Sequence, residues 1–328
     1  MSSTRKIEPP VSIIVPTYNR TSLLRDALKS IAEQTYTDYE VLVIQNGPFH
    51  TAKAVVEEFQ TSIPGIRYHH LDRASAANAR NIGISEARGE YIAVLEDDDQ
   101  WFSEKLEKQV ELIESDPQIG LVSAPSIELN LVQQQLGKRR PLAKRECNYS
   151  EMIRLENVQI ISSLSGTLFR KDAALEVGLF DERYKISSDV DFYIRLSKKY
   201  KIVTMDQPLF YYGVHEQNAS SNLMAGCEDM VHILERESEI QSNEIHLEIK
   251  KAISIYLDKI YSYATDALEA MKYKQAFAGY RFVISHNPWF GKRIRWGQEK
   301  NILYKLLRPY LAFLYCCLQL ILGQGGRP

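Results

Sequence analysis

A chain of 328 residues, 45% of them hydrophobic, is long enough for one large folded domain and a smaller one, which excludes a mostly disordered protein. The 40 basic and 42 acidic side chains give a formal net charge of -2, which argues against nucleic acid as a partner. The four cysteines form no CxxC pair, so we expect neither a cysteine zinc site nor a disulfide framework. Because no apolar signal segment is seen near the N-terminus, we expect a protein of the reducing cytoplasm.

The N-terminal half alternates short apolar strands with helical patterns. Strands are predicted at 11–15, 41–44 and 66–69, each a continuous or β-branched apolar run. An alanine-rich helix at 74–87 leads to a fourth strand at 92–95. Strands that alternate with helices at this pace predict a largely parallel sheet covered by helices on both faces.

The fourth strand ends in four consecutive acidic residues, Glu96, Asp97, Asp98 and Asp99. In open α/β sheets, ligands bind at the carboxyl ends of the strands, and clustered carboxylates there suit Mg²⁺ or Mn²⁺ holding a diphosphate. The alternative is a solvated acidic turn before a helix, whose dipole favours carboxylates near its N-terminus.

The chain continues with the same alternation. Further strands are expected at 121–124, 201–204 and 209–214. Ser103 is placed to cap the helix that follows the acidic run. The polar and basic stretch 133–145 is typical of an exposed loop. Asp189 and Asp191 open a later helix.

A change of composition divides the chain into three regions. Residues 228–286 carry a helical pattern throughout, typical of a helical hairpin. We therefore expect a main domain over 1–225, a helical appendage over 226–290 and a tail over 291–328.

The tail combines basic and apolar residues. Residues 309–322 are apolar but too few to cross a bilayer, since a spanning helix needs about 20 residues. Six Lys and Arg side chains against one acid precede them, between 292 and 308. This pattern suits a helix in the headgroup region of an anionic membrane surface, where each cation adds about 1 kcal/mol. The alternative is a helix docked on the main domain or on a partner subunit.

Four segments together resemble the family 2 glycosyltransferases, the inverting enzymes with the GT-A fold. They are VSIIVPTYNR at 11–20, ARNIGISEARGEYIAVLEDDD at 79–99, SGTLFRKDAALEVGLFDE at 165–182 and SSDVDFYIRL at 187–196, in the family's order and spacing. The resemblance implies an α/β architecture with a Rossmann-like, mostly parallel sheet flanked by helices, to which this chain adds a C-terminal helical region. It extends to no residue beyond about 220.

The resemblance places the nucleotide base against Pro16, Tyr18 and Asn46, with Arg80 as a phosphate or base contact. The chemistry agrees, because a Tyr ring stacks on a planar base and an acceptor at 46 takes the ring N3–H of a uracil. The family usually has two acidic residues where this chain has Gln45 and Asn46.

In the Asp-x-Asp motif of the family, Glu96 and Asp98 occupy the two acidic positions. The resemblance makes Asp98 the metal ligand for Mn²⁺ or Mg²⁺, makes Asp97 or Glu96 a ribose contact, and places Asp99 behind them as a supporting residue. Glu96 replaces the usual Asp, and the extra methylene moves the carboxylate by roughly an ångström.

Asp189 is the catalytic base that the resemblance implies, although Ser188 stands where the family often has Glu. Inverting transfer needs a carboxylate that takes the proton of an acceptor hydroxyl. A first-turn helix acid is the alternative for Asp189, and Asp191, one step inside the same helix, is expected to be structural. The family often has a His where His215 stands, which implies an additional metal or diphosphate contact; an ordinary loop histidine is the alternative.

These features predict transfer of a sugar, with inversion, from a nucleotide-sugar donor, a UDP-sugar foremost, to a hydroxyl of a glycan or lipid-linked acceptor. Such a reaction serves cell-surface polysaccharide or glycolipid synthesis, at the inner face of the cytoplasmic membrane if the tail binds lipid. A dehydrogenase is disfavoured because no GxGxxG follows the first strand. A non-catalytic nucleotide-sugar-binding scaffold is the second alternative, motivated by Gln45, Asn46, Glu96 and Ser188.

Overall fold

The computed structural model describes residues 10–73, 75–139, 146–154, 163–216, 218, 222–240, 243–286 and 312–317. The chain forms two compact units, Met1–Asn218 and Ala219–Pro328.

The first unit contains two sheets and the helices between their strands. In chain order its elements are β1 (Val11–Thr17), α1 (Thr21–Ala32), β2 (Tyr39–Asn46), α2 (Ala52–Glu58), β3 (Arg67–Leu71), α3 (Ala76–Glu86), β4 (Tyr91–Val94), β5 (Gln100–Trp101), α4 (Lys105–Glu114), β6 (Ile119–Ser123), β7 (Ser126–Asn130), β8 (Gln135–Arg139), β9 (Glu146–Cys147), α5 (Tyr149–Arg154), β10 (Thr167–Arg170), α6 (Lys171–Val177), α7 (Ser188–Ser197), β11 (Lys201–Thr204) and β12 (Phe210–Val214).

The larger sheet has eight strands in the order β3-β2-β1-β4-β10-β6-β11-β9. The first four run parallel, as expected from the alternation of strands and helices. β10 then runs antiparallel between β4 and β6, and β9 runs antiparallel to β11. The parallel half carries the acidic run, so the carboxyl ends of β1, β2 and β4 share one edge.

The core is built on strands that are apolar on both faces. All seven residues of β1 are buried, which is the pattern of a strand covered by helices on each side. On α1, Leu24, Leu28 and Ile31 recur at helical spacing and are fully buried. Each such side chain contributes about 1.5–3 kcal/mol by leaving water. Helix α3 lies so close to β1 that a Cβ on Gly83 would come within 2.5 Å of Ile14 Cγ2.

A smaller sheet of four strands, β5-β12-β7-β8, was not predicted as a unit. Its edge strand β8 falls inside the stretch 133–145, which was expected to be a loop. The five residues of β8 are all exposed, as was expected for this stretch. They form a strand, however, so the prediction of a loop is wrong for these residues. Polar residues at an edge strand leave no apolar pattern, because neither face of the strand enters a core.

The start of α4 also differs from expectation. Ser103 does not cap this helix; its hydroxyl hydrogen-bonds to Glu104. Instead the side chain of Gln34, two residues after α1, accepts a hydrogen bond from Leu106 N at 3.1 Å and donates one to Phe102 O at 2.8 Å. A residue distant in sequence therefore satisfies the free N–H group of the first turn.

The second unit contains α8 (Leu223–Ile240), α9 (Asn243–Glu269) and α10 (Tyr273–His286) as the helices of its described stretch 222–286, where a hairpin was expected. Val231, Leu257, Ile260 and Val283 form one buried cluster that joins all three. Within the described parts of the chain, no helix has the length and apolar character to cross a membrane. The predicted tail, 291–328, lies outside the described residues except for a helical segment at 312–317.

Candidate active site

The candidate active site lies at the carboxyl edge of the neighbouring strands β1 and β4. Ile14 pairs with Val94, so Thr17, three residues further along β1, comes beside Asp97. The Thr17 hydroxyl donates a hydrogen bond of 2.6 Å to Asp97 Oδ2. Asp97 is fully buried, and this burial raises the pKa of Asp97 to about 7, although Arg20 and Thr17 favour the carboxylate.

Arg20, in the loop after β1, holds two neighbouring carboxylates. Its Nε donates to Asp97 Oδ2 at 3.2 Å, and its Nη1 donates to Asp98 Oδ2 at 2.9 Å. A fixed cation therefore lies directly on the acidic run. The residue patterns did not single out Arg20, although its place after the strand that neighbours the acidic strand was an available signal.

Asp98 also contacts the loop that follows β12 of the smaller sheet. His215 Nε2 lies 3.0 Å from Asp98 Oδ2, and both side chains are partly exposed. The loop that carries His215 is held by Asn218, whose Oδ1 accepts from His215 N at 2.6 Å and whose Nδ2 donates to Gly213 O at 3.0 Å. A carboxylate and an imidazole side by side fit Mn²⁺, whose remaining positions waters and substrate phosphates fill.

Asp99 joins the acidic run to β12. Its Oδ1 accepts a hydrogen bond of 2.9 Å from Gly213 N, and its Oδ2 accepts one of 3.3 Å from the Ser163 hydroxyl. A Cβ on Gly213 would lie 2.0 Å from Asp98 O, so only glycine permits this close approach. Burial raises the pKa of Asp99 well above its usual value. Asp99 thus holds β12 next to the acidic run, and the supporting role expected of it at the metal site remains a prediction.

Arg80, on α3, connects the acidic run to the start of α7. Its Nε and Nη2 donate to Glu96 Oε1 at 3.0 and 2.8 Å, and its Nη1 lies 3.5 Å from the Ser188 hydroxyl. The Glu96 backbone is fixed in turn, because Glu96 N donates to the Ser165 hydroxyl at 3.0 Å. In this structure the guanidinium is therefore bound to protein groups, and the phosphate or base contact expected of Arg80 remains a prediction.

Asp189 occupies the first turn of α7. Its Oδ1 accepts a hydrogen bond of 2.8 Å from Val190 N. Burial raises the pKa of Asp189, while the positive charge of Arg80 opposes the rise. The Asp189 side chain is partly exposed, and its role as general base remains a prediction.

The expected base pocket lies at the ends of β1 and β2. The ring of Tyr18 is 47% exposed and meets Phe49 edge-on at 5.5 Å between centroids. Gly47 has a φ of 82°, and a Cβ there would lie 2.6 Å from the Tyr18 ring. Asn46 Oδ1 is buried and has no hydrogen-bond partner among the described residues. Pro16 is buried in β1, one residue before the strand ends.

Gln45, one of the two departures from the family pattern in this segment, is a structural residue here. Its Oε1 accepts hydrogen bonds from Ala52 N at 3.1 Å and from the Tyr68 hydroxyl at 2.8 Å. Its Nε2 donates to the Thr51 hydroxyl at 3.1 Å. Gln45 therefore links β2 to the start of α2 and to β3 by hydrogen bonds.

Comparison with known families agrees with this arrangement. Residues 12–178, just over half of the chain, match the family described as Glycosyl transferase family 2. The chain is a family 2 glycosyltransferase.

This glycosyltransferase is 28% identical over 216 residues to an uncharacterized glycosyltransferase of Haemophilus influenzae, covering 64% of this chain and 70% of that protein. Its fold is similar to S. aureus TarS 1-349 in complex with UDP, with a TM-score of 0.65, 18% identity and coverage of 95% of this chain and 91% of that one. It is also similar to the mannosyltransferase PcManGT from Pyrobaculum calidifontis in complex with GDP-Man and Mn²⁺, with a TM-score of 0.55, 16% identity and coverage of 96% and 87%. The expected GT-A fold is confirmed.

In the glycosyltransferase, Asp191 makes a structural ion pair within α7, as expected. Arg195 Nε donates to Asp191 Oδ2 at 2.9 Å, one helical turn along α7. The same guanidinium binds the carbonyls of Val177 and Leu179, on either side of Gly178 with its φ of 91°. Asp191 thus orients the arginine that holds the turn after α6.

Proposed function

We propose that this glycosyltransferase moves a sugar from a UDP-sugar to a hydroxyl of a glycan or lipid-linked acceptor, with inversion at the anomeric carbon. The observation that carries the proposal is Asp189, a partly exposed carboxylate whose raised pKa is opposed by the positive charge of Arg80, which itself hydrogen-bonds to Glu96 of the acidic run. Inversion in one step requires a base for the acceptor and a stabilised leaving group. The site offers groups for both.

In the proposed reaction, Asp189 takes the proton of the acceptor hydroxyl as its oxygen attacks the anomeric carbon. The bond from that carbon to the diphosphate oxygen breaks at the same time, and the bonding electrons leave with UDP. Arg80 keeps Asp189 usable as a base, because its positive charge opposes the rise in pKa that burial causes.

The donor nucleotide is proposed to bind against Tyr18 and Asn46. A buried carbonyl oxygen without a described partner is costly, and the N3–H of a uracil would satisfy Asn46 Oδ1. Guanine also offers a ring N–H to this acceptor, so the donor panel includes GDP-sugars. The similar fold of TarS was solved in complex with UDP, which supports the same donor class.

Asp98 and His215 are proposed to hold Mn²⁺ or Mg²⁺, the metal acting as a Lewis acid on the leaving diphosphate. Their contact at 3.0 Å supports this pairing, as does the presence of Mn²⁺ in the complex of PcManGT. We propose that Glu96 contacts the ribose of the donor nucleotide, as the family resemblance implies. For Asp97 we propose a different part from the expected one, because it is fully buried against Thr17 and Arg20 and so anchors the arginine.

The deciding experiment combines a donor panel with product analysis. Purified protein is given UDP- and GDP-sugars with Mn²⁺, and release of sugar or its transfer to a glycan or lipid-linked acceptor is followed by NMR. An α-linked UDP-sugar should give a β-linked product. A product with retained configuration would contradict the proposal, and binding without turnover of any donor would favour a scaffold.

Asp189→Asn gives the first prediction, because Asn keeps the shape of the side chain but cannot accept the proton. We expect kcat to fall at least about 10²-fold, with donor affinity nearly unchanged. The matched control is Asp26→Asn on the exposed face of α1, which should keep full activity. Loss of donor affinity with little change in kcat would instead assign Asp189 a structural part.

A further inference from the structure

The second unit carries a cluster of metal-ligating side chains that the transferase chemistry does not use. His232 and Glu235 lie one turn apart on α8, so both project from one face of that helix. His286 is the last residue of α10. One donor atom from each of the three side chains lies within 4.8 Å of the others.

We propose that His232, Glu235 and His286 form a zinc site that links α8 to α10. The spacing of the donor atoms suits a shared ion better than direct hydrogen bonds. His232 Nδ1 and His286 Nε2 lie 3.7 and 4.0 Å from Glu235 Oε2, beyond normal hydrogen-bond length. Ligands at about 2.0–2.2 Å from a tetrahedral zinc are roughly 3.3–3.6 Å apart, so small side-chain rotations close the site.

Neighbouring groups already orient the His286 ring for such a role. His286 Nδ1 lies 3.0 Å from Phe282 O and 2.9 Å from the Ser285 hydroxyl. With the Nδ1 proton donated to the carbonyl, the Nε2 lone pair faces Glu235, which is how most zinc-bound histidines are held. The ring also stacks on Phe282 at 3.9 Å between centroids, and His232 meets the same Phe282 edge-on at 5.5 Å.

The donor set selects the kind of ion. Two imidazole nitrogens and one carboxylate oxygen suit zinc, whereas Mg²⁺ and Ca²⁺ prefer oxygen ligands alone. The three side chains are 49%, 38% and 20% exposed, so an ion can enter from solvent and complete its fourth position with water. α8 and α10 both pack on α9, and the ion would join them directly, adding a cross-link to the small core around Val231 and Val283.

Zinc binding by the full-length chain tests the proposal. Metal-free protein, prepared with a chelator, is titrated with ZnCl₂ and compared with Glu235→Gln and His286→Gln. Loss of an outer-shell partner alone lowers zinc affinity about 10- to 100-fold, so we expect loss of a ligand to lower it at least about 100-fold. His246→Gln is the matched control, since this histidine of α9 bonds to Ser238 and lies outside the cluster. It should bind zinc as the unchanged protein does.

Cobalt distinguishes this site from others in the chain. Co²⁺ at three protein ligands and a water should give the visible bands of a tetrahedral ion in the unchanged protein and in His246→Gln. The bands should disappear in Glu235→Gln, which keeps the shape of the side chain, and in His286→Gln. Equal zinc affinity in all four proteins, an octahedral cobalt spectrum, or a thiolate charge-transfer band from cysteine ligands would each overturn the proposal.

Zinc should also raise the thermal unfolding temperature of the unchanged protein and of His246→Gln, and leave that of Glu235→Gln unmoved. A rise of the same size in Glu235→Gln would count against the proposed link between α8 and α10.

Discussion

Arg80 interacts with both the acidic run and Asp189, the proposed catalytic base. It hydrogen-bonds to Glu96 at 2.8 Å, and its positive charge counteracts the rise in the Asp189 pKa that burial causes. Since the base works only when deprotonated, kcat/KM should increase as the pH rises through the raised pKa of Asp189. Asp189 has a lower pKa in the unfolded chain than in the folded protein. Its contribution to stability is therefore complete below the unfolded pKa and is lost as the pH rises through the folded pKa.

Removing the charge at position 80 gives the second prediction. In Arg80→Gln the opposing positive charge is gone, so the acidic limb of the kcat/KM profile should move to higher pH. The measurement is the pH–rate profile with saturating metal, compared with that of Arg25→Gln, whose guanidinium pairs with Glu58 on an exposed face. An acidic limb that stays in place, or moves to lower pH, would show that Arg80 does not act on the base.

Asp98 carries the third prediction. Asp98→Ala should abolish turnover and remove the Mn²⁺-dependent part of nucleotide affinity, because the carboxylate is the proposed charged ligand of the ion. His215→Gln keeps that carboxylate and should weaken Mn²⁺ dependence less. UDP affinity is measured by titration calorimetry with and without Mn²⁺, with Asp26→Asn as the control. If Asp98→Ala retains its Mn²⁺ dependence, the metal lies elsewhere.

At the scale of elements, α4 is attached to the larger sheet through a buried lysine. Lys105 is fully buried, and its Nζ lies 3.9 Å from the centre of the Trp101 ring. Nζ also donates to Gln109 Oε1 at 2.6 Å and lies 3.3 Å from Thr167 O in β10. Trp101 in turn donates from Nε1 to Ser165 O at 2.7 Å, which places the ring as part of the core. Burial lowers the pKa of Lys105 well below its usual value.

Substitution of Lys105 is the fourth prediction. Lys105→Ala should lower the free energy of unfolding by about 2–5 kcal/mol, the range for large-to-small core changes, whereas Lys105→Met keeps the packing on Trp101 and should lose less. Because the folded pKa is lowered, the stability from the neutral amine is complete above the unfolded pKa of about 10.4 and is lost as the pH falls through the folded value.

Urea unfolding at pH 7 and 9.5 measures both effects. The unchanged protein should gain stability relative to Lys105→Met at the higher pH. Lys108→Met, on the exposed side of the same helix and paired with Glu104, is the control and should change little at either pH. A stability difference between the unchanged protein and Lys105→Met that is the same at both pH values would contradict the assignment of a neutralised amine.

At the scale of the whole molecule, we propose that the tail 291–328 brings the enzyme to a lipid surface. In its described segment, Phe313 and Cys316 pack against residues of α9 and α10, whereas Leu314 and Tyr315 are exposed and offer an apolar face to lipid. The fifth prediction is that removal of residues 302–328 moves the protein from the membrane to the soluble fraction, because the apolar run and part of the basic segment are lost together. High salt alone should release the intact protein only in part, since it screens the charges and leaves apolar insertion.

Co-sedimentation with liposomes gives the direct measurement for the tail. The intact protein should bind vesicles that contain anionic lipid and bind neutral vesicles more weakly. A variant with Leu311, Leu314 and Leu318 changed to Ser keeps the basic residues and separates the two contributions. An intact protein that stays in solution with anionic vesicles at low salt would refute the membrane proposal.

The sequence by itself determined the parallel half of the large sheet and where along the chain the acids of the proposed site lie. Apolar runs and helical spacing are local patterns, so they located β1, β2 and β4 and showed that Asp98 follows a buried strand. The placement of Asp189 at the start of a helix was local in the same way.

Only the tertiary structure decided which groups surround these acids. Thr17 and Asp97 are 80 residues apart in the chain, and Gly213 and Asp99 are 114 apart. The pairing of Arg20 with the acidic run, the four-stranded sheet that delivers His215, and the meeting of α8 with α10 depend on packing between distant segments. Local preference and spacing act over a few residues, whereas strand order and register follow from which distant surfaces bury one another.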